Sequence, residues 1–155
     1  MRTISKRTQY GLKAILNLAS RFGEGPVLIA TVAEEERIPI KFLELILLDL
    51  KGRGILHSKT GKKGGYELSR PPSTLTVGAV IRMMEGPLAP LPCASETAFK
   101  PCDECPDVES CGLRIVMRQV RDAMAGVLDK TTLADLLRQM GTVRQSRRPV
   151  LTYEI

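Results

Sequence analysis

The stretch that decides the fold is Leu50-Lys51-Gly52-Arg53-Gly54-Ile55-Leu56-His57-Ser58-Lys59-Thr60-Gly61-Lys62-Lys63-Gly64-Gly65-Tyr66-Glu67-Leu68. Residues 55–59 and 66–69 read as two short strands. The three glycines between them permit the positive φ angles of a tight hairpin, and Lys62 and Lys63 sit at its tip. Upstream, residues 39–51 read as an amphipathic helix with Leu43, Ile46, Leu47 and Leu50 on its inner face. Pro39 fits its first turn, where a missing N–H costs nothing, and Gly52 supplies the stop. Before it, residues 29–36 form a shorter helix with Ile29, Val32 and Ala33 on one side. Two short helices joined by a tight turn make a helix-turn-helix, and a basic hairpin directly after them makes a winged helix. That arrangement sends the second helix toward a major groove and the hairpin tip toward the backbone or minor groove of duplex DNA.

Working outward, residues 5–22 read as a helix with Leu12, Ile15, Leu16 and Ala19 on a buried stripe, ended by Gly23-Glu24-Gly25-Pro26. Pro71-Pro72 breaks the chain, Thr76 caps a helix over 77–85, and Gly86-Pro87 ends it. Gly112–Leu128 carries a long stripe of Leu113, Val116, Met117, Val120, Met124 and Val127, with Arg114, Arg118, Arg121 and Asp122 off it. The N-terminal module closes its own core. The stripe therefore calls for another partner, and a second copy of the same helix in a C2 homodimer is the simplest. Thr132 and Asp135 resemble a capping box for a last helix over 133–140. The expected fold is mainly α with a small β-hairpin wing: a winged helix-turn-helix domain at 1–85, a cysteine-rich loop at 86–111, a dimerisation helix and C-terminal helix at 112–141, and a loosely ordered basic tail at 142–155 with Arg144, Arg147 and Arg148.

Charge divides the chain in the same way. Residues 1–90 hold 14 Lys or Arg against 8 Asp or Glu, residues 91–111 hold one Lys against five acids, and residues 112–155 hold 8 against 4. A basic N-terminal module suits a polyanion, because neutralising phosphates releases counterions. Aromatics make up only 4% of the chain and Trp is absent, which excludes a stacking platform for single-stranded nucleic acid. Residues 1–20 lack the apolar core of a signal peptide, and no run approaches the roughly 20 apolar residues that span a bilayer. A cytoplasmic protein with no membrane partner is expected.

In that compartment, four cysteines within 19 residues point to metal ligands or redox thiols rather than a structural disulfide framework. Their spacing is Cys93-x8-Cys102-x2-Cys105-x5-Cys111. Soft thiolates suit iron–sulfur clusters and zinc, and Pro92, Pro101 and Pro106 stiffen the loop that carries them. A four-cysteine zinc site usually shows two Cys-x2-Cys knuckles, and here there is one. Cluster, zinc and disulfide switch all stay open on spacing alone. His57 reads as an ordinary strand residue. A thiol oxidoreductase built on Cys102 and Cys105 would need a thioredoxin-like βαβ context that is not there, so no enzyme is expected.

Thr8-Gln9-Tyr10-Gly11-Leu12-Lys13-Ala14, Pro39-Ile40-Lys41-Phe42-Leu43-Glu44 and the wing with its Gly64-Gly65-Tyr66 resemble the IscR and NsrR family of bacterial winged-helix regulators over residues 1–140. The resemblance implies a homodimer with crossed long helices that binds a double-stranded DNA operator and acts as a repressor sensing iron–sulfur, redox, iron or nitric oxide status. It implies a [4Fe-4S] or [2Fe-2S] cluster on Cys93, Cys105 and Cys111, with Cys102 as a fourth ligand or a spare thiol. Other branches place a histidine after the last cysteine or an acid near the N-terminus. Here Gly112, Leu113 and Arg114 stand at the first place and Thr8 near the second, and the Cys93-to-Cys105 interval is longer than usual. On the DNA side, Lys41 and Glu44 meet base edges, Glu44 accepting from a cytosine N4. Lys59, Lys62 and Lys63 meet phosphates, and Thr60 stands where some relatives carry an arginine.

Overall fold

The computed structural model describes residues 4–146. Its elements in chain order are α1 (Lys6–Ala19), α2 (Ile29–Glu36), α3 (Ile40–Gly52), the strands β1 (Leu56–Lys59) and β2 (Gly65–Leu68), then α4 (Val77–Glu85), α5 (Gly112–Leu128) and α6 (Leu133–Ser146). Several helix ends have a visible cause. Ser5 caps α1, its Oγ accepting from the Thr8 amide at 3.2 Å, and Thr76 caps α4 by accepting from the Ala79 amide at 3.1 Å. Arg37 closes α2 in the left-handed region at φ 54°, and its amide and that of Ile38 satisfy the last carbonyls. Pro39 is the cap of α3 rather than its first residue.

β1 and β2 pair antiparallel, Leu56 opposite Leu68 and Lys59 opposite Gly65. Val27 adds a third, one-residue edge: its amide donates to the Tyr66 carbonyl at 2.8 Å and receives the Tyr66 amide on its own carbonyl at 2.9 Å. Gly65 has φ +149°, and a side chain there would run into the Val27 backbone. The wing is thus tied to the segment that leads into α2.

The core lies among α1, α2, α3, α4 and the hairpin. Ile15, Val32, Leu43, Leu47, Leu50, Ile55 and Val80 are fully buried. Leu133 joins them from the far end of the chain. The Val77 amide donates to the Thr131 carbonyl and the Leu133 amide to the Leu75 carbonyl, both at 2.9 Å, which sews the start of α6 to the start of α4. The Arg82–Asp129 ion pair sits beside that seam, and Gly78 leaves room for the Asp129 carboxylate. The capping box expected at Thr132 forms, with the Thr132 amide donating to Asp135 at 2.9 Å and the Asp135 amide donating back to Thr132 at 3.1 Å.

The last helix was expected to stop near Gly141, and it runs to Ser146 instead. A glycine inside a helix costs only about 1 kcal/mol and does not break it, and no proline follows until Pro149. Of the basic tail, Arg144 is helical, while Arg147 and Arg148 lie outside the described residues.

Candidate DNA-reading face and cysteine cavity

Helix α3 has two opposite faces. Leu43, Ile46, Leu47 and Leu50 are 0–1% exposed and hold it against the core. Lys41, Glu44, Leu45 and Leu48 all face solvent at the spacing of a single stripe. At the first turn, Phe42 meets the Tyr10 ring edge-on at 5.8 Å between centroids, which fixes the entry of α3 against α1. Asp49, on the flank, draws Arg7 at 2.7 Å and Arg53 at 2.9 Å. These two guanidiniums hold its carboxyl below the usual carboxylate range, Arg53 contributing most.

The wing presents Lys59, Thr60, Lys62 and Lys63 to solvent. Among the described residues none of these lysines, nor Lys41 or Glu44, is held in an ion pair. Their charges are free to meet an outside partner. His57 is exposed on β1, as a plain strand residue would be.

The four cysteines line one cavity of about 460 Å³, together with Leu91, Lys100, Val108, Leu113 and Arg114 among others. The cavity lies between the loop and the first turn of α5. Cys111 is the residue that caps α5. Its thiol is pushed down from the ordinary thiol range, first by the Arg114 backbone N–H and next by its contact with Cys105. Cys105 is pushed up by the same contact with Cys111. Cys105 is also tied to Cys102, whose carbonyl accepts the Cys105 amide at 3.3 Å. Among the described residues no three His, Cys, Asp or Glu side chains converge on a point suited to a single metal ion.

The loop is more regular than its prolines suggest. Pro92–Ala94 forms a turn of 3₁₀ helix, Ala94 is 1% exposed, and the Ser95 hydroxyl accepts from the Ala98 amide at 3.0 Å. Two arginines of α5 hold this turn. Arg114 Nε donates to the Cys93 carbonyl at 2.9 Å, and Arg121 donates to the Ala94 carbonyl at 2.7 Å. Arg114 also pairs with Glu109 at 3.1 Å and lies 5.5 Å from the Phe99 ring centre. Both arginine side chains are only 13% exposed.

The sequence places these arginines off the packing stripe and gives them no partner. The missed signal is their spacing of seven, two helical turns apart on one side, beside the polar carbonyls of a proline-rich loop. Met117 and Met124 share that half-buried side. Leu113, Val116, Val120 and Val127 remain on the outer side, 57%, 43%, 40% and 65% exposed, and no residue of α5 is buried.

No helix among the described residues is long and apolar enough to cross a membrane. The Rrf2 family, described as iron-dependent transcriptional regulators, matches residues 4–139. An rrf2-like protein of Rhodobacter capsulatus is 38% identical over 137 residues, covering 86% of this chain and 91% of the relative. The solved structure of CymR, the global cysteine regulator of B. subtilis, is 32% identical with a TM-score of 0.73, covering 88% of this chain and 96% of that one. That of T. potens IscR is 31% identical with a TM-score of 0.71, covering 90% and 88%. The similar proteins are transcriptional regulators rather than enzymes, and regulators of this fold bind DNA and are typically dimeric. The chain belongs to the Rrf2 family of winged helix-turn-helix transcriptional regulators.

Proposed function

We propose that this regulator is a homodimeric, cytoplasmic repressor whose cysteine loop holds an iron–sulfur cluster and couples it to operator binding. The observation that carries the reading is that four cysteines spread over 19 residues line one cavity at the cap of α5. The donor set fits the group. Soft thiols line a space far larger than one ion needs, and Lys100 and Arg114 share that lining with Asp103 and Glu104. Cys93, Cys105 and Cys111 would hold it, with Cys102 as the fourth ligand or a spare thiol. The group, when bound, supplies a redox- and oxygen-sensitive crosslink within the loop.

The rest follows from the chain's own residues. Arg114 and Arg121 fasten the first half of the loop to α5, and the Arg82–Asp129 pair fastens the end of α5 to α4 of the reading head. The outer stripe of α5 packs against the same stripe of a second copy. The geometry between two reading heads thus depends on how the loop seats on α5. Lys41 and Glu44 meet base edges. Lys59, Lys62 and Lys63 meet phosphates, and Thr60 lies beside them in the wing. Two heads on one dimer suit half-sites about 34 Å apart, one helical turn of DNA.

A second reading rests on Cys105 and Cys111, which line the same cavity and shift each other's ionisation. A peroxide-class oxidant would take two electrons and two protons from these thiols and leave a disulfide, with no metal involved. Anaerobic purification from iron-replete cells, followed by an absorption spectrum and metal and sulfide analysis, separates the readings. The cluster reading expects iron and acid-labile sulfide with broad visible absorption. Zinc in their place makes the loop a structural site, and a metal-free protein with a reversible disulfide makes it a thiol switch.

A further inference from the structure

Leu45 and Leu48 are 66% and 59% exposed, on the outward stripe of α3 with Lys41 and Glu44. This is more open than Leu113, Val116 or Val120 on α5. They do not belong to the core, whose α3 contributors lie on the opposite face, and they are not part of the α5 stripe. Two bare leucines amid unpaired charges need a partner that is both polyanionic and apolar in places. The major groove of duplex DNA is such a surface. Its phosphates suit the wing lysines, its base-edge acceptors suit Lys41, its cytosine N4 donors suit Glu44, and its one apolar group is the thymine C5-methyl.

We propose that Leu45 and Leu48 read thymine methyl groups, so that each half-site carries thymine beneath the middle of α3. The two side chains are three residues apart, about 4.5 Å along the helix axis, which places them over neighbouring base steps. A 5-methylcytosine presents the same methyl and satisfies the same contact. The inference rests on the DNA-binding reading above and sharpens it: the wing lysines' contacts to phosphate set affinity without sequence, whereas these two residues join Lys41 and Glu44 in setting which bases are preferred.

The test begins with selection of operators from random duplex DNA by the full-length protein. Each thymine of the selected site is then replaced in turn by deoxyuridine, which removes only the methyl, and affinity is measured at fixed salt. One or two positions per half-site should lose about three- to fivefold, the scale of one buried methyl group. In a Leu45→Ala, Leu48→Ala double variant the same replacements should cost nothing. Both residues are exposed, so this variant keeps its fold, and thermal unfolding checks that it does. A wild-type protein indifferent to every deoxyuridine overturns the proposal while leaving operator binding intact. So does methyl sensitivity that survives in the double variant, or a changed oligomeric state in it, which would assign the face to protein contact. Failure to select any preferred sequence overturns the DNA-binding reading itself.

Discussion

The reading head and the cysteine-loop arm are built in opposite ways. In the head, the inner faces of α1, α3 and α4 converge on side chains such as Ile15, Leu47 and Val80 that water does not reach. In the arm, α5 has no buried residue along its 17 positions, and it meets the loop largely through arginines donating to carbonyls. The head is complete within one chain. Among the described residues the arm leaves two surfaces unmatched: an apolar stripe on one side of α5 and a sulfur-lined cavity at its cap. A core closed by hydrophobic burial is stable whatever the protein has bound. A segment held by a few hydrogen bonds and awaiting a partner is where a signal can act, because small changes there are not outvoted by packing.

The largest effect that would break this contrast is in the head. Leu47→Ala empties a fully buried site and should cost about 2–5 kcal/mol in chemical denaturation, whereas Val120→Ala, on the open stripe, should leave the unfolding of the head nearly unchanged. Equal losses would show that α5 is part of the same core. Next, Val120→Asp places a charge in the proposed seam between copies. Sedimentation at micromolar concentration should then show monomer, with the dimer weakened at least about 100-fold, since an unpaired buried charge costs several kcal/mol. An unshifted profile would mean that the stripe covers something within one chain.

A finer test concerns the loop alone. Arg121→Ala removes the donor to the Ala94 carbonyl, a charge-assisted bond worth about 1.5–3 kcal/mol. Amide hydrogen exchange across 92–100 should accelerate roughly 10- to 100-fold while the amides of α3 keep their protection. Acceleration in both regions would mean that loop and head unfold as one unit. Smallest is the wing: Lys62→Ala with Lys63→Ala should weaken binding to every DNA sequence alike. It should flatten the salt dependence by about 0.9 per lost phosphate contact. A change in sequence preference instead would move the wing from backbone contact to base reading.

The head was legible because its signals are local. The apolar spacing of α3, the cap at Thr76 and the wing glycines each sit within a few residues of the structure they specify. The arm was legible only where its pattern is periodic, as in the exposed valines of α5. Its stripe divides more narrowly than the sequence suggested, Met117 and Met124 turning to the half-buried side with Arg114 and Arg121. Nothing in the spacing of an arginine announces that a distant carbonyl will satisfy it. The burial of Leu133 was unreadable for a related reason, since it follows from backbone pairing between residues 75–77 and 131–133, which leaves no trace in side-chain periodicity. The exposed face of α3 was read for its charges, at Lys41 and Glu44. Leu45 and Leu48 lie off the inner face that Leu43, Ile46, Leu47 and Leu50 define, and their spacing alone says nothing of what an outward leucine is for.

The most direct test of the account is the DNA affinity of three samples compared at one salt concentration: protein purified anaerobically with its cluster, the same protein after the cluster is removed, and a Cys105→Ala variant. The account predicts that the first differs from the other two by about 5- to 150-fold, the span of a coupling free energy of roughly 1–3 kcal/mol, and that the cluster-free and variant proteins behave alike. Identical affinity in all three, with head and dimer intact, would contradict it and leave the cysteine loop without a part in operator binding.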